Sequence, residues 1–374
     1  MVEQGIKKLP IAVSIKEALE IANISAEVNY KIGKINSEFK HSIVHYSLIQ
    51  ILSLNESVQS TRIEGTQVTF TDMVEEKNDK NPRWEVVEIK NYQQALSEGV
   101  ARIHQGYPIS TRLIKELHLI MMQEARGSVQ SSGDYRKIQN FIGPTNKLED
   151  AVYIPVSANE INDYMENLEF FINGEKHSSF EKIIDEEKYV YEEKEQSLIK
   201  TAILHAQFES IHPFLDGNGR LGRILIVLNL IKDDLIADPV FFVSEELEKE
   251  KARYYDLLNG VRGKDPDWAS WIKFFLTACN RMADQLINKF NKADALAAKG
   301  TEKLTLNSEK KVWIYSFSDP FATTQSVSVG TGLSKATARN ALNSLVEKGL
   351  LYTDKQSKRN KKYRNYDLMR ILRD

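Results

Sequence analysis

The sequence has few cysteines and no long apolar segment, the features that form disulfides and span a bilayer. Its 374 residues include a single cysteine, Cys279, which excludes an internal disulfide and a cysteine-based metal centre. The most apolar run, ILIVLNLI at 224–231, is far shorter than the roughly 20 residues that span a membrane. The N-terminus has no long apolar segment followed by a small-residue cleavage site, so we expect no secretory signal. These absences predict a cytoplasmic protein without membrane association.

Charge of one sign is also lacking. Lys and Arg number 50 against 52 for Asp and Glu, giving a net charge of -2, so any attraction to nucleic acid must be local. The hydrophobic content of 42% and the charged content of 27% are typical of a soluble globular protein. A chain of this length predicts two or three domains with a sizeable core.

Helical periodicity dominates, so the fold class we expect is mainly α. The predicted helices are 109–125, 197–211, 220–234 and 268–290. The pattern at 197–211 predicts an amphipathic helix, which Pro213 should end, and the pattern at 220–234 predicts a helix buried nearly all round. The best strand candidate is AVYIPVS at 151–157, after turn-forming residues. The acidic stretch 181–196 is interpreted as a solvated connection.

A change in composition near 291–303 predicts a linker into a last domain. The order that follows, with two short helices, a glycine-containing turn and the segment GLLYTDK, resembles a winged helix-turn-helix, a small α+β domain. Between Tyr352 and Asp374 there are eight Lys or Arg residues against three Asp residues, so the expected wing is positive. DNA binding and protein–protein contact both remain open as its role.

The stretch IHPFLDGNGRLGR at 211–223 concentrates phosphate and turn chemistry. Gly217 and Gly219 allow a sharp turn that brings backbone N–H groups toward an anion, and the helix start that follows favours phosphate. Arg220 and Arg223 are three residues apart and lie near one helix face, so both can reach one polyphosphate.

The same stretch carries a base and a metal ligand. Asp216 offers hard oxygen atoms suited to Mg²⁺, and His212 stands at the end of the preceding helix with an ordinary pKa suited to a base at neutral pH. A Walker A loop is excluded because no Lys follows the glycines. An EF-hand is excluded by Arg220 and Leu221, and a zinc site by the seven-residue gap to His205.

These residues resemble the signature of the Fic family, His-x-Phe-x-(Asp/Glu)-Gly-Asn-Gly-Arg-x-x-Arg, with every specified position filled. The similarity extends to 133–157 and to ARYYDLL at 252–258. The resemblance implies a Fic-type helical core with a short β-hairpin flap. The expected domains are an N-terminal helical region at 1–107, the catalytic core at 108–280, a helix or linker at 281–303 and the winged helix at 304–374.

The resemblance also implies an enzyme that transfers AMP from ATP, with Mg²⁺, to a Ser, Thr or Tyr hydroxyl of a target protein or of itself. In this interpretation His212 is the base, Phe214 anchors the loop and Asp216 holds Mg²⁺. The residues implied to bind ATP phosphates are Gly217, Asn218, Gly219, Arg220, Leu221, Gly222 and Arg223. The flap residues implied to clamp the target are Ile142, Gly143, Tyr153, Ile154 and Pro155. Tyr254 and Tyr255 are candidates for the base pocket. Gly143-Pro144 departs from the paired glycines of many relatives.

A second motif lies upstream, in SVQSTRIEGT at 57–66. Ser60 and Glu64 are four residues apart and so share a helix face, which Gly65 ends. This matches the Fic inhibitory pattern (Ser/Thr)-x-x-x-Glu-(Gly/Asn). The resemblance implies that Glu64 pairs with Arg223 and occupies the place of the γ-phosphate.

Other functions stay open beside this hypothesis. The same site could remove AMP from a protein, with Glu64 positioning water, or could use another donor such as UTP or a phosphocholine compound. The chain could instead be a DNA-binding regulator in which the Fic portion senses nucleotide. A homodimer is a further open alternative.

Overall fold

The computed structural model of the protein describes residues 2–75, 82–123, 132–145, 147–353 and 361–373. In these ranges helices predominate and strands are short, which confirms the mainly α fold class. None of the described helices combines the length and hydropathy that a transmembrane segment needs.

Helices account for most of the ordered backbone. They are α1 Ile15–His41, α2 His45–Ile63, α3 Phe70–Glu75, α4 Trp84–His104, α5 Thr111–Met121, α6 Ile161–Asn173, α7 Ser197–Ile211, α8 Asn218–Lys232, α9 Ser244–Lys249, α10 Lys251–Gly260, α11 Trp268–Glu302, α12 Asn307–Tyr315, α13 Thr324–Thr331, α14 Lys335–Glu347 and α15 Tyr366–Arg373. The helix predicted over 109–125 is observed as α5, and its residues 124 and 125 lie outside the described residues.

The strands form three small sheets. They are β1 Glu3–Gln4, β2 Ile11–Ser14, β3 Tyr153–Ile154, β4 Lys188–Tyr191, β5 Phe321–Thr323, β6 Tyr352–Thr353 and β7 Lys362–Arg364. Strand β1 pairs in parallel with β3, β2 pairs antiparallel with β4, and β5, β7 and β6 form an antiparallel sheet in that order. The acidic stretch interpreted as a connection therefore contains a strand, β4, whose partner lies far away in the sequence.

The chain divides into two compact units. The first comprises the described residues of Met1–Gly33, Glu56–Gln67 and Pro82–Met282. At its centre α7 and α8 are packed together, and α7 is buried on every side from Leu198 to Ile211. This differs from the single apolar stripe that we predicted. The polar side chains of α7 are accommodated because partners reach them inside the core, as when Lys200 Nζ lies 3.0 Å from an Asp233 carboxylate oxygen.

The second unit comprises the described residues of Lys34–Asn55, Val68–Asn81 and Ala283–Asp374. Helices α12, α13 and α14 pack on one another beside the three-stranded sheet. The segment predicted as a linker, 291–303, is helical through Glu302. It packs through Ala293 and Ala297, and the Trp313 indole N–H donates to the Ala297 carbonyl at 3.0 Å. The alanines that made the segment look like a linker are strong helix formers.

The predicted domain boundaries and the winged-helix assignment stay predictions. Most of the basic loop expected for the wing falls on residues 354–360, which lie outside the described residues, as does Asp374.

Candidate active site

The motif loop, defined as residues 212–217, joins the two central helices. Helix α7 stops because His212 takes a left-handed conformation, with φ at 49°, and Pro213 cannot continue the helix. Gly217 is also left-handed, with φ at 80°, and α8 begins at the next residue. The side chain of Asn218 closes the loop: its Oδ1 accepts from the Phe214 amide and its Nδ2 donates to the Phe214 carbonyl, both at 2.9 Å.

Phe214 is fully buried beneath this loop. Its ring stacks on His118 of α5, with centroids 3.8 Å apart and planes within 6°, and meets the ring of Tyr135 edge-on at 5.3 Å. The loop is therefore fixed to the core through an aromatic side chain.

His212 is half-buried and has one ring nitrogen already engaged. Its Nδ1 lies 3.3 Å from the carbonyl oxygen of Glu209. A carbonyl only accepts, so Nδ1 carries the proton and Nε2 retains a lone pair. Desolvation by the surrounding protein, with the positive charge of Arg262, lowers the pKa of His212 to about 4. The imidazole is thus a neutral base at physiological pH.

Asp216 is the exposed acid of the loop. More than half of its side chain is accessible, at 55%. One carboxylate oxygen accepts from the Gly217 amide at 2.6 Å, and the other lies 3.4 Å from an Arg220 guanidinium nitrogen. Among the described residues no group of three or more His, Cys, Asp or Glu side chains could hold a metal. Mg²⁺ takes few protein ligands and completes its shell with phosphate and water, so a single exposed carboxylate fits it.

Arg220 is buried and already neutralised. It donates to a Glu88 carboxylate oxygen of α4 at 2.9 Å, and both side chains are less than a tenth exposed. The structure therefore shows Arg220 linking α4 to the motif loop as well as standing at the start of α8. Of the next two motif residues, Leu221 is fully buried and Gly222 faces Glu209.

Arg223 is held by the end of α2. Its side chain is 1% exposed, and it donates to the Ser60 hydroxyl at 2.8 Å, to the Ser60 carbonyl at 2.9 Å and to a Glu64 carboxylate oxygen at 2.5 Å. Partial burial of Glu64 acts to raise its pKa, but the charge of Arg223 and the hydrogen bond to it dominate and lower the pKa. Glu64 is therefore ionised, and Gly65 follows it with φ at 100°. The structure brings the upstream and downstream motifs together.

The Glu64 carboxylate also lies against the start of α8. A Cβ placed on Gly219 would stand 2.3 Å from Glu64 Oε1 and 3.1 Å from the nearest Arg223 nitrogen. Only a residue without a side chain allows the carboxylate to approach this closely. Glu64 thus occupies the space beside the helix N-terminus in which an anion is favoured.

The flap residues pair as a narrow hairpin. The Ile142 amide donates to the Tyr153 carbonyl at 2.9 Å, and the Tyr153 amide donates back to Ile142 at 3.1 Å. The opposite edge is covered too, because the Gly5 amide of the N-terminal segment donates to the Ile154 carbonyl at 2.9 Å. The Tyr153 side chain is buried and its hydroxyl donates to the Ser210 carbonyl at 2.7 Å.

The remaining predicted residues surround this hairpin and the end of α2. The Pro155 carbonyl accepts from the Gln139 side chain at 3.0 Å. The Gly143 backbone passes close to the carbonyl oxygen of Asp150.

The two candidates for the base pocket differ in burial. Tyr254 is buried, and its hydroxyl lies 2.9 Å from His205 Nε2, which makes it part of the core. Tyr255 is exposed by 38%, and its hydroxyl donates to the Ile63 carbonyl at 3.4 Å.

Comparison with known proteins agrees with this geometry. The model of the Fic/DOC family matches residues 108–230, and that of the Fic/DOC family N-terminal region matches residues 24–101, together more than half of the chain. The chain belongs to the Fic/DOC family. A protein of Aquifex aeolicus (strain VF5) described as a probable protein adenylyltransferase is 27% identical over 229 residues, 59% of this chain and 62% of that protein. The match thus spans less than two thirds of that relative.

Solved structures show the same Fic fold. A Fic family protein from Desulfovibrio desulfuricans G20 superposes with a TM-score of 0.56 at 20% identity, covering 92% of this chain and 95% of that one. A Fic domain containing signaling protein from Bacteroides thetaiotaomicron VPI-5482 gives a TM-score of 0.52 at 17% identity, covering 70% of this chain and 97% of that one. The expected Fic-type helical fold is confirmed.

Two buried residues beside the candidate site, Arg136 and Glu209, were not predicted from the sequence. Arg136 is buried; its backbone amide donates to the Pro213 carbonyl at 2.9 Å, and its Nε donates to the His212 carbonyl at 3.0 Å. Its guanidinium also donates to the Val156 carbonyl, which ties the flap to the motif loop. The available signal was that Arg136 lies within the segment 133–157 that resembles the family, but its partners are backbone atoms that no side-chain pattern reveals.

Glu209 is the second missed residue. It is buried, its Oε1 has no hydrogen-bond partner among the described residues, and desolvation raises its pKa to about 7 despite the nearby charge of Arg223. Two carboxylates of opposite character therefore flank Arg223. Glu64 is ionised and paired, whereas Glu209 is close to half-protonated at neutral pH.

Proposed function

We propose that this Fic protein transfers AMP from ATP to a hydroxyl group of a protein. One observation carries the proposal. The neutral imidazole of His212, whose Nε2 keeps a lone pair, lies at one end of the glycine-containing turn, and the buried guanidinium of Arg223 lies on the helix that begins at the other end. A base for an incoming alcohol and a cation for a nucleotide phosphate are the two groups that the reaction requires. The naming of the Aquifex aeolicus relative as a probable protein adenylyltransferase supports the same activity.

The residues suggest how the reaction would run. The target hydroxyl oxygen bonds to the α-phosphorus, the bond from that phosphorus to the β-phosphate oxygen breaks, and pyrophosphate leaves. The hydroxyl proton passes to Nε2 of His212. The amides at Gly217–Gly219 and the guanidinium of Arg223 stabilise the phosphate charge in a positioned, partly dry site. Asp216 would hold Mg²⁺, which supplies further neutralisation of that charge when bound.

We propose that the enzyme restrains itself through Glu64. Its carboxylate satisfies the same guanidinium and fills the same helix-start space that a terminal phosphate would use. A triphosphate must displace it or bind in an unproductive pose. The target is a Ser, Thr or Tyr hydroxyl, including one on the protein itself.

We further propose that residues 304–374 form a winged helix-turn-helix. The turn between α13 and α14 has Gly332 in a left-handed conformation, and Lys335, Arg339 and Asn340 of α14 are exposed. An arginine and an asparagine on an exposed helix face are the side chains that read guanine and adenine. Fluorescence anisotropy with duplex DNA tests this role: Arg339→Ala should weaken a strongly salt-dependent binding, and salt-independent or absent binding would favour protein contact.

The activity is tested by incubation with ATP labelled at the α-phosphate and Mg²⁺. Glu64→Gly should label protein strongly, the wild type weakly, and the Glu64→Gly variant carrying His212→Ala should not label. Intact mass should rise by one AMP. A different added mass would indicate that a group other than AMP is transferred. Removal of preinstalled AMP by the wild type, without addition by Glu64→Gly, would favour the hydrolase alternative.

A further inference from the structure

A histidine outside both sequence motifs holds the motif loop from below. His118 of α5 is buried, and its Nε2 lies 3.0 Å from the carbonyl oxygen of Asp216. On the other side of the ring, the backbone amide of Gly133 donates to Nδ1 at 2.9 Å. Because an amide only donates and a carbonyl only accepts, the ring has one allowed arrangement, with the proton on Nε2.

The position of this ring is fixed on its face as well as its edges. Its stacking on Phe214, with centroids 3.8 Å apart, restrains rotation about the side-chain bonds. Gly133 provides its amide from a left-handed conformation, with φ at 87°, that other residues rarely adopt. Ring, donor and acceptor are thus set by three separate segments: α5, the residues before the flap, and the motif loop.

The peptide group that His118 holds is a sensitive one. The Asp216 carbonyl belongs to the peptide whose N–H is that of Gly217, the first amide of the phosphate-facing turn. The Asp216 carboxylate, on the same residue, is the exposed acid of the site. Rotation of this peptide would change the direction of both the Gly217 N–H and the Asp216 carboxylate. A displacement of about 1 Å in such a group can cost on the order of 100-fold in rate.

We propose that His118 is a positioning residue that fixes the Asp216–Gly217 peptide and thereby aims the loop amides and the Asp216 carboxylate at the nucleotide phosphates. The inference rests on the proposed function for its catalytic consequence. Its structural part, an Asp216–Gly217 peptide held by an imidazole donor, stands independently. Donation from Nε2 to the Asp216 carbonyl is what matters, and acceptance by Nδ1 serves to orient the ring.

Two substitutions separate these contacts. In His118→Gln the side-chain amide nitrogen lies near the place of Nε2 and retains a donor for Asp216. In His118→Asn the shorter side-chain amide reaches only the position of Nδ1, so no donor remains at the position of Nε2. The control is His177→Asn, because His177 also stacks on a phenylalanine, Phe170, at 4.2 Å and bonds to Ser179, but contacts no residue of the motif loop.

The first measurement uses the full-length protein without nucleotide. Hydrogen–deuterium exchange of the peptide covering 213–221 should be faster in His118→Asn than in the wild type, and near the wild-type rate in His118→Gln and His177→Asn. Equal exchange in all four proteins overturns the proposal, whether or not the protein transfers AMP.

The second measurement uses the same variants in the Glu64→Gly background. With ATP and Mg²⁺, kcat should fall about 10- to 100-fold for His118→Asn, the range seen when an outer-shell partner of a ligand is removed, and recover to within a few-fold for His118→Gln. The melting temperatures of the two His118 variants identify any general loss of folding. Equal losses for both His118 variants, with similar melting temperatures, contradict the role of the donor. An inactive Glu64→Gly parent rejects the proposed function and leaves the exchange result to decide the positioning role.

Discussion

Arg223 and Glu64 form a 2.5 Å ion pair across 159 residues of sequence. The guanidinium end is buried and the carboxylate end is partly exposed, at 1% and 37% of their side chains. Breaking the pair from the two ends should therefore have unequal results. Removal of Glu64 leaves an arginine that a phosphate can satisfy, whereas removal of Arg223 leaves neither the pair nor the phosphate partner.

Glu64→Gly should raise AMP transfer about tenfold or more, since the loss of even roughly 1.4 kcal/mol of competition shifts binding by that factor. Arg223→Ala in the same background should abolish the gain. Initial rates with α-labelled ATP check both variants. An isosteric control is Glu64→Gln, which keeps the shape but not the charge and should give an intermediate rate. Rates of Glu64→Gly and Glu64→Gln that both equal the wild-type rate would remove autoinhibition by this pair.

The acid limb of activity should lie unusually low. Because His212 has a pKa of about 4, kcat/KM of the Glu64→Gly variant should stay level from neutral pH down to about pH 5 and fall below it, as the base becomes protonated. Removal of the Glu64 charge, which acts to raise this pKa, moves the limb lower still. His212→Ala should cost on the order of 10²–10⁴ in rate. A midpoint near 6.5 would show that the ring is solvated in the active form.

Arg136 should be required for both folding and activity. Arg136→Met removes hydrogen bonds from a buried guanidinium to the motif loop and to the flap, and should cost roughly 2–4 kcal/mol in the free energy of unfolding. Urea unfolding followed by circular dichroism measures this change. Arg136→Lys keeps the charge without the planar fork and should recover only part of the stability. Full stability with methionine at 136 would contradict the role assigned here.

Glu209 should make stability fall with pH. The carboxyl has a pKa of about 7 in the folded protein against an ordinary 4.5, so the folded state holds the proton more tightly. The free energy of unfolding then falls between about pH 4.5 and 7, by up to roughly 3 kcal/mol from this group. Glu209→Gln lacks that proton. It should therefore gain stability relative to the wild type between pH 5 and pH 8, as measured by urea unfolding at each pH. A difference in unfolding free energy between the two proteins that stays constant with pH would show that the Glu209 carboxyl is solvated.

The local part of the site could be predicted from sequence and the long-range part could not. The turn at 212–217 could be predicted from its own residues, since Pro213 cannot continue α7 and Gly217 readily takes the left-handed conformation that precedes α8. Ser60 and Glu64 were found through their resemblance to the Fic inhibitory pattern, although α2 ends at Ile63 and Glu64 lies in the turn that follows rather than on the predicted helix face. The Arg220–Glu88 pair joins residues 132 apart, and no spacing rule identifies Glu88 among 52 acidic residues.

The fold shows the same division. The helices predicted over 109–125, 197–211 and 220–234 are observed with ends shifted by a few residues, whereas α11 continues twelve residues beyond the predicted end at 290. Strand β4 was missed because it is short, acidic at its borders and stabilised by β2, some 175 residues earlier. The alanine-rich helix end at 291–302 was missed because small residues suit both a linker and a close helix contact. Tertiary partners decide such segments.

The absent side chain at Gly219 has a consequence for how this protein can change. If Glu64 and a terminal phosphate use the same space beside Gly219, as proposed, a methyl group at this position would displace both, because it would stand 2.3 Å from Glu64 Oε1. The balance between inhibition and activity would then depend on other features, such as how firmly the end of α2 packs or how much nucleotide is available. A lineage can lose its restraint in one step at position 64, but it cannot trade restraint for speed at position 219.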